Sequence, residues 1–159
     1  MKKVRSSAFL GVLLTIGSAV MAAGSNADPI VGTWKLNAAK STFAGIPAYK
    51  SQIRTYSQSA RGITLQMTTV SAEGKETKTQ ATYKLDGKDF SSMGNPDFDS
   101  LSGKQIDTNT VEFTLKKGGK PIGTIRRAVS KDGKTLTINY VITNADGIQT
   151  AALALFDKQ

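Results

Sequence analysis

The chain has 159 residues and a formal net charge of +9 at pH 7, and it contains neither histidine nor cysteine. These two absences exclude histidine-dependent nucleophile triads, catalytic thiols and ordinary zinc or copper sites. The lysines are scattered, so the excess charge describes either a solvated surface or one that favours anionic envelope components. No basic stripe interleaved with aromatic residues supports nucleic-acid binding.

The first 23 residues have the pattern of a secretory signal peptide. Three basic residues precede an uncharged apolar run over residues 8–20, and small residues follow it. The run is shorter than the roughly 20 apolar residues that a membrane span needs, although a retained anchor stays open as the alternative. We therefore predict a cleaved signal peptide over 1–23, one mature domain over 24–159, and a periplasmic or secreted location. The sequence leaves the cleavage site open among Ala22, Ala23 and Ala27.

The segment from Asp28 to Asn37 opens the predicted domain and contains the only tryptophan, Trp34. An apolar pair precedes Gly32-Thr33-Trp34, and a strand-like Lys-Leu pair follows. This order predicts a first strand with the indole buried. The loss of so large a buried aromatic side chain should cost several kcal/mol of stability, about 3–5 in typical cases.

Turn signals punctuate the chain after this segment at intervals of about a dozen residues, which is typical of antiparallel sandwiches and barrels. Asp-Gly and Gly-Gly pairs suit tight hairpins, because they tolerate positive φ. Consecutive hairpins without a long crossover favour a meander. The turn signals are Ala60-Arg61-Gly62, Ala72-Glu73-Gly74, Asp86-Gly87, Lys117-Gly118-Gly119, Asp132-Gly133 and Asn144-Ala145-Asp146-Gly147.

Between the turns, apolar and polar residues alternate, which predicts strands with one buried face. The outward faces are rich in Thr, Lys, Gln and Asn, which argues against a membrane-embedded domain. The last run, 149–156, is apolar on both faces, and we expect the N-terminal segment to cover it. The inward faces of the other runs are predicted to carry Ile63, Leu65 and Met67; Ala81, Tyr83 and Leu85; Val111, Phe113 and Leu115; Ile125, Arg127 and Val129; and Leu136, Ile138, Tyr140 and Ile142.

The alternation breaks once, between Phe90 and Ile106, where turn-forming residues dominate. We predict short strands on either side of a long loop over one opening of the barrel, and the loop is either a lid on a binding site or a plain connector. The acidic residues of this region suit turns better than a calcium loop, since their spacing matches no known loop of that kind. The sequence therefore predicts no metal and no cofactor. The oxygen-bearing residues in question are Asp89, Asn95, Asp97 and Asp99.

Three segments carry a resemblance to known proteins: Pro29 to Asn37, Ser130 to Thr137, and Phe156 to Gln159. They resemble a small lipocalin-like domain of bacterial exported proteins, within the calycin group of lipocalins and fatty-acid-binding proteins. The resemblance implies an all-β fold, an up-and-down antiparallel meander closed into a barrel of about 8–10 strands. It also implies that Gly32 and Trp34 form the structural motif at the closed end.

Lipocalins commonly place an arginine of the last strand across this tryptophan, and the last strand here contains none. Arg126 and Arg127 are the nearest substitutes. Arg127 therefore has two readings: it stacks on Trp34, or it clamps a ligand carboxylate, as internal arginines do in the fatty-acid-binding proteins that the chain resembles. The inward tyrosines either bind ligand through their hydroxyl groups or belong to the core. The predicted ligand-binding residues are Arg127, Tyr140, Tyr83, Phe113 and Met67.

The resemblance implies an exported, non-catalytic protein that binds a small hydrophobic or amphipathic ligand, such as a lipid or a carboxylate-bearing molecule. The alternative is a filled barrel of the cell envelope whose loops bind a protein or an anionic surface. Catalysis is the least favoured reading, because neither histidine nor cysteine is present. An interior cavity would favour the binding protein, since barrels of about eight strands are either filled or hold one small ligand. The sequence leaves the oligomeric state open.

Overall fold

The computed structural model describes residues 27–45, 47–92, 97–144 and 146–159, so the predicted signal peptide lies outside the described residues. No helix in these ranges is long and apolar enough to cross a membrane. Over these ranges, one short 3-10 turn, Ala38–Lys40, interrupts an otherwise all-β structure. The strands are β1 Gly32–Leu36, β2 Thr42–Ala44, β3 Tyr49–Ser59, β4 Gly62–Ser71, β5 Glu76–Tyr83, β6 Asp86–Ser91, β7 Ser100–Asp107, β8 Thr110–Lys117, β9 Lys120–Val129, β10 Thr135–Thr143 and β11 Gln149–Lys158.

The strands form one antiparallel sheet that curls into a nearly closed barrel. Ten strands follow the order β5-β4-β3-β1-β11-β10-β9-β8-β7-β6, and the short β2 pairs with β11 beside this path. Chain neighbours pair from β3 to β5 and from β6 to β11, and β1 lies between β3 and β11, where it joins the two ends of the described domain. The predicted all-β, up-and-down barrel is confirmed, with ten strands in its path.

The barrel stays open between β5 and β6, which share no backbone pairing in the described part of the chain. The Asp86-Gly87 signal marks a reversal there, but the prediction of a tight hairpin is wrong. Gly87 adopts a φ of +75° in an irregular stretch where β6 pairs with β7 instead of β5. Aromatic side chains bridge the gap, because the rings of Tyr83 and Phe90 stack with centroids 5.1 Å apart.

The N-terminal segment runs along the edge of β11 rather than across its faces. β1 pairs with the end of β11, and β2 pairs with its beginning at Ala151 to Leu153. On the inward face, Ala152, Ala154 and Phe156 are buried, whereas Leu153 on the outer face is 39% exposed. The expectation that both faces of this strand are covered is therefore wrong for the outer face, because the N-terminal strands meet β11 through hydrogen bonds at its edge.

Trp34 closes one end of the barrel, where it is fully buried together with Ile30 and Phe156. Its indole Nε1 donates a 2.7 Å hydrogen bond to the carbonyl oxygen of Ile30, so its only polar side-chain atom is paired. Lys158 lies over the indole, with Nζ 5.0 Å from the ring centroid. A lysine of the last strand thus occupies the position for which Arg126 or Arg127 had been the expected substitute.

Candidate ligand-binding site

A cavity of about 370 Å³ lies inside the barrel, between the wall of β3, β4 and β5 and the wall of β8 to β11. It extends from Arg127 and Tyr83 near the closed end to Ser92 and Asp97 of the β6–β7 connection at the other end. Its volume falls in the range of small-molecule pockets, roughly 300–1,000 Å³. Much of the lining is apolar or aromatic, with a small number of polar groups among it.

All five residues predicted to bind ligand line this one cavity. Met67 lies on β4 and Tyr83 on β5, whereas Phe113, Arg127 and Tyr140 come from β8, β9 and β10 on the opposite wall. They meet because inward residues at every second position of antiparallel strands point toward the barrel axis. The structure thus brings the set together, while the role of each residue in binding stays a prediction.

Arg127 is 4% exposed and lies at the deep end of the cavity. Its Nη1 donates a 2.6 Å hydrogen bond to the hydroxyl of Tyr83, and its Nη2 lies 3.8 Å from a carboxylate oxygen of Asp28. The guanidinium also lies over the rings of Tyr56 and Phe113, at 5.6 and 5.7 Å from their centroids. Arg127 therefore does not stack on Trp34, and that reading is wrong.

Burial raises the pKa of the Tyr83 hydroxyl, although the neighbouring charge of Arg127 acts in the opposite direction. The hydroxyl is therefore neutral at physiological pH and accepts the hydrogen bond from Arg127. Tyr83 also packs edge-to-face against Phe113, with ring centroids 5.4 Å apart. The deep end is thus a cation enclosed by aromatic rings, with one carboxylate beside it.

A polar strip on β3 lines the cavity, and the sequence did not predict it. It consists of Gln52, Arg54 and Tyr56, together with Thr69 of the neighbouring β4. Gln52 is only 3% exposed, whereas the adjacent Ile53 is 44% exposed. The usual alternation is therefore inverted on this strand. The available signal was the row of polar and aromatic residues at every second position of 52–56, which a search for apolar periodicity passes over.

The strip is held together by side-chain hydrogen bonds. Gln52 Nε2 donates to Thr69 Oγ1 at 2.8 Å, and Gln52 Oε1 accepts from Arg54 Nε at 2.7 Å. Arg54 Nη1 also donates to the hydroxyl of Tyr56 at 3.3 Å, and its guanidinium lies over the Phe156 ring at 5.1 Å from the centroid. The buried amide of Gln52 is thus paired at both its ends, as a buried polar group requires.

Aromatic and acidic groups surround the opposite end of the cavity. Phe43 and Tyr49 pack edge-to-face with centroids 5.5 Å apart, and Phe98 is buried within the β6–β7 connection. Burial raises the pKa of Tyr140 to about 12, and the charge of Asp97 contributes in the same direction. The strands β6 and β7 flank the predicted loop, as expected, and the described part of the loop lines the cavity.

The acidic residues of this loop have structural partners. Asp89 forms a salt bridge with Lys116 at 2.6 Å, and Asp99 accepts a 2.7 Å hydrogen bond from the backbone N–H of Gly118. That hydrogen bond is the main cause of the lowered pKa of Asp99. Asn95 lies outside the described residues. Within the described ranges, no three acidic, histidine or cysteine side chains cluster as metal ligands would.

Comparison with known proteins shows which proteins share this fold. No protein-family model and no curated protein matches the sequence. Several solved structures match the architecture, including the following three. A point mutant of the fluorescent protein UnaG is 17% identical, with a TM-score of 0.57 over 82% of this chain and 96% of that protein. A Schistosoma mansoni fatty acid binding protein in complex with arachidonic acid is 14% identical, with a TM-score of 0.55 over 82% and 96%. The zebrafish ileal bile acid-binding protein complexed with cholic acid is 12% identical, with a TM-score of 0.52 over 82% and 99%.

The fold is that of the fatty-acid-binding proteins. The resemblance to calycin barrels read from the sequence is therefore confirmed at the level of architecture. Two of the three similar proteins were solved in complex with an acid, arachidonic acid in one and cholic acid in the other. At these identities the likeness concerns the fold, and the site has to be argued from this chain's own residues.

Proposed function

We propose that this protein binds a small hydrophobic or amphipathic molecule in its barrel cavity and is not an enzyme. The observation that carries the proposal is the cavity itself, about 370 Å³ in volume, lined by apolar and aromatic side chains around a few polar groups. This combination is typical of small-molecule sites, in which the apolar wall supplies affinity and the polar groups fix orientation. The similar barrels solved with arachidonic and cholic acid support the same reading.

Each residue of the predicted set receives a role in this proposal. Met67 and Phe113 contact the apolar body of the ligand, whereas Tyr83 and Tyr140 present an aromatic face with a hydroxyl group at its edge. Arg127 supplies positive potential at the deep end. Its guanidinium is partly engaged by Tyr83 and Asp28, so a ligand carboxylate near it competes with an internal one.

The cavity weighs against the alternative of a filled barrel that acts through its loops. The large hydrophobic residues exposed among the described residues are Ile53, Ile106, Ile148 and Leu153. Ile53, Ile106 and Leu153 lie on three different strands, and Ile148 lies in the connection before β11. Single exposed apolar residues are ordinary on protein surfaces, whereas interaction sites present contiguous patches. A protein or surface partner therefore has less support than a ligand inside the barrel.

Native mass spectrometry of the protein, purified from its producing cells without detergent, tests the proposal. We expect either a co-purified mass or, for delipidated protein, uptake of one equivalent from a lipid extract. The matched control is Thr79→Leu, which fills the cavity wall without touching the outer surface. A clean protein mass that takes up nothing from the extract would move the function to the outer surface.

We also propose that the protein works outside the cytoplasm, in the periplasm or beyond the cell. The basic, then apolar, then small-residue order of 1–23 supports this location. The intact mass of the protein from a periplasmic or culture fraction tests it. We expect a chain that begins after Ala22, Ala23 or Ala27, and a full-length mass in the cytoplasmic fraction alone would contradict export.

A further inference from the structure

Two arginines line the same cavity, but they differ in their electrostatic surroundings. Arg127 faces the carboxylate of Asp28, which offsets its charge. Arg54 forms no salt bridge with any acidic residue in the part of the chain that the structure describes. A cation in a mostly apolar cavity is costly unless an opposite charge accompanies it. Arg54 is therefore the position in the cavity where a bound anion gains the most.

The guanidinium of Arg54 is also held ready for a ligand. Gln52 binds its Nε and Tyr56 accepts from its Nη1, while the Phe156 ring supports its flat face. The Nη2 amino group has no partner among the described residues, and an arginine presents five N–H donors in a rigid fork. A planar fork fixed by its neighbours loses little entropy when it binds a carboxylate.

The charges at the two ends of the cavity give a ligand one favoured direction. Asp97 lies at the β6–β7 connection, where its negative charge acts on Tyr140. Arg54 and Arg127 lie nearer the closed end, where Arg54 contacts the hydroxyl of Tyr56 and Arg127 lies over its ring. An acidic ligand is repelled at the first position and attracted at the second.

We propose that Arg54 is the anion-binding residue of the cavity and that Gln52 positions it. The ligand class is an amphipathic molecule with one acidic group, which enters acid-first and leaves its apolar body between Phe113, Met67 and Tyr140. This inference rests on the proposed function, because it names the chemistry of the ligand that the cavity binds. It assigns the acidic group to β3, rather than to Arg127 on β9.

Displacement of a fluorescent apolar dye from the delipidated protein by dodecanoate and by 1-dodecanol tests the assignment. The readout is the ratio of the two dissociation constants, alcohol over acid, because loss of fold or cavity affects both probes alike. We expect the protein to favour the acid by about tenfold or more, as charge-assisted hydrogen bonds do. Arg54→Gln should reduce the ratio to about one, and Arg54→Lys should retain part of it, because a lysine keeps the charge but loses the fork.

The matched control is Arg126→Gln, which is exposed outside the cavity and should leave the ratio unchanged. Two variants at the deep end test the competing assignment of the acid to Arg127. If Arg54 binds the acid, Arg127→Gln and Asp28→Asn should each change the ratio less than Arg54→Gln does, because neither residue contacts the Arg54 guanidinium. If Arg127→Gln does not fold, Asp28→Asn still tests Arg127, because it removes the carboxylate that offsets the Arg127 charge. A tightening of dodecanoate by about tenfold in Asp28→Asn, with an unchanged ratio in Arg54→Gln, would assign the acid to Arg127 and overturn the proposal.

Two further outcomes separate a failure of the Arg54 assignment from a failure of the proposed function. Displacement by both probes with the same ratio in every variant would overturn the role of Arg54 and leave the binding function standing. If neither probe displaces the dye from the unmodified protein and native mass spectrometry shows no bound mass, the proposed function fails, and the assignment of Arg54 fails with it.

Discussion

The two walls of the barrel fill the interior differently. On β8 and β10, the inward residues Val111, Leu115, Leu136 and Ile142 are buried outside the cavity lining, and only part of this wall borders the cavity. On β4 and β5, the inward positions include residues that are only half-buried, because they border the cavity. Alternation therefore decides which way a side chain points, whereas the size of the side chains decides whether the space becomes core or pocket.

Trp34 closes the barrel at its filled end, and the removal of this indole should have the largest effect on stability. Trp34→Ala removes a fully buried indole and its hydrogen bond to Ile30. We expect a decrease of about 3–5 kcal/mol in the free energy of unfolding, as for other large-to-small aromatic substitutions. Urea unfolding followed by circular dichroism measures it. Lys35→Ala, exposed on the same strand, is the control, and a decrease under about 1 kcal/mol for Trp34→Ala would contradict the closure by the indole.

The deep end of the cavity joins the two walls, because Arg127 of β9 binds Tyr83 of β5. Arg127→Gln should lower the free energy of unfolding by about 2–3 kcal/mol, since it leaves Asp28 and the buried hydroxyl without a cationic partner. The matched control is Arg126→Gln, one residue away and exposed, for which we expect a change within about 0.5 kcal/mol. Equal effects in the two variants would show that the contact across the cavity contributes nothing to stability.

Overpacking tests the filled wall from the opposite direction. In Gly103→Ala, the new Cβ would lie 2.7 Å from Phe113 Cε1 and 2.9 Å from Leu85 Cδ2. Both contacts are shorter than a carbon pair tolerates, so the aromatic group around Phe113 must shift. We expect a decrease of about 1–3 kcal/mol in the free energy of unfolding. Ser102→Ala, the preceding residue of β7, is the control, and a neutral Gly103→Ala would mean that this wall has unused space.

On the hollow wall, filling should cost almost no stability. Thr79→Leu adds apolar volume where β5 borders the cavity, so we expect a change within about 1 kcal/mol in the free energy of unfolding. The same substitution should weaken dye binding severalfold, because the ligand and the leucine compete for the same space. Gln80→Leu, on the outer face of the same strand, is the control and should leave dye binding unchanged. Unchanged dye binding in Thr79→Leu would place the dye elsewhere.

This contrast between the walls also explains which parts of the fold and of the site could be predicted from the sequence. The alternating apolar positions of β8 and β10 predicted their buried faces, because hydrophobic burial and strand period agree there. On β3 the two disagree, since the polar Gln52 and Arg54 face inward and Ile53 faces outward. A binding site is where such local rules are expected to fail, and the β3 strip is the part of the cavity that apolar periodicity could not reveal.

Other features depend on distances that no local pattern encodes. The contact of Lys158 with Trp34 joins the two ends of the domain, and it was missed because an arginine was the expected partner. The sequence also did not predict the gap between β5 and β6. The Asp86-Gly87 pair marks a reversal of the chain whether or not the flanking strands pair. The volume of the cavity is a sum over many side chains from both walls, so it could not be read from any one strand.

The smallest effect we predict is a loss of stability in acid that originates in the turns, outside both walls. Backbone N–H groups of Gly118 and Asn109 lower the pKa of Asp99 and Asp107, respectively, because they bind the ionised carboxylates. A carboxyl group whose pKa is lower in the folded state adds stability above its unfolded pKa of about 3.9, and this contribution disappears as the pH falls through the folded value. The double variant Asp99→Asn/Asp107→Asn should therefore be slightly less stable than the unmodified protein at pH 7 and equally stable near pH 2. Urea midpoints at both pH values measure the difference, and a difference that persists unchanged in acid would mean that the two side chains act through shape rather than through charge.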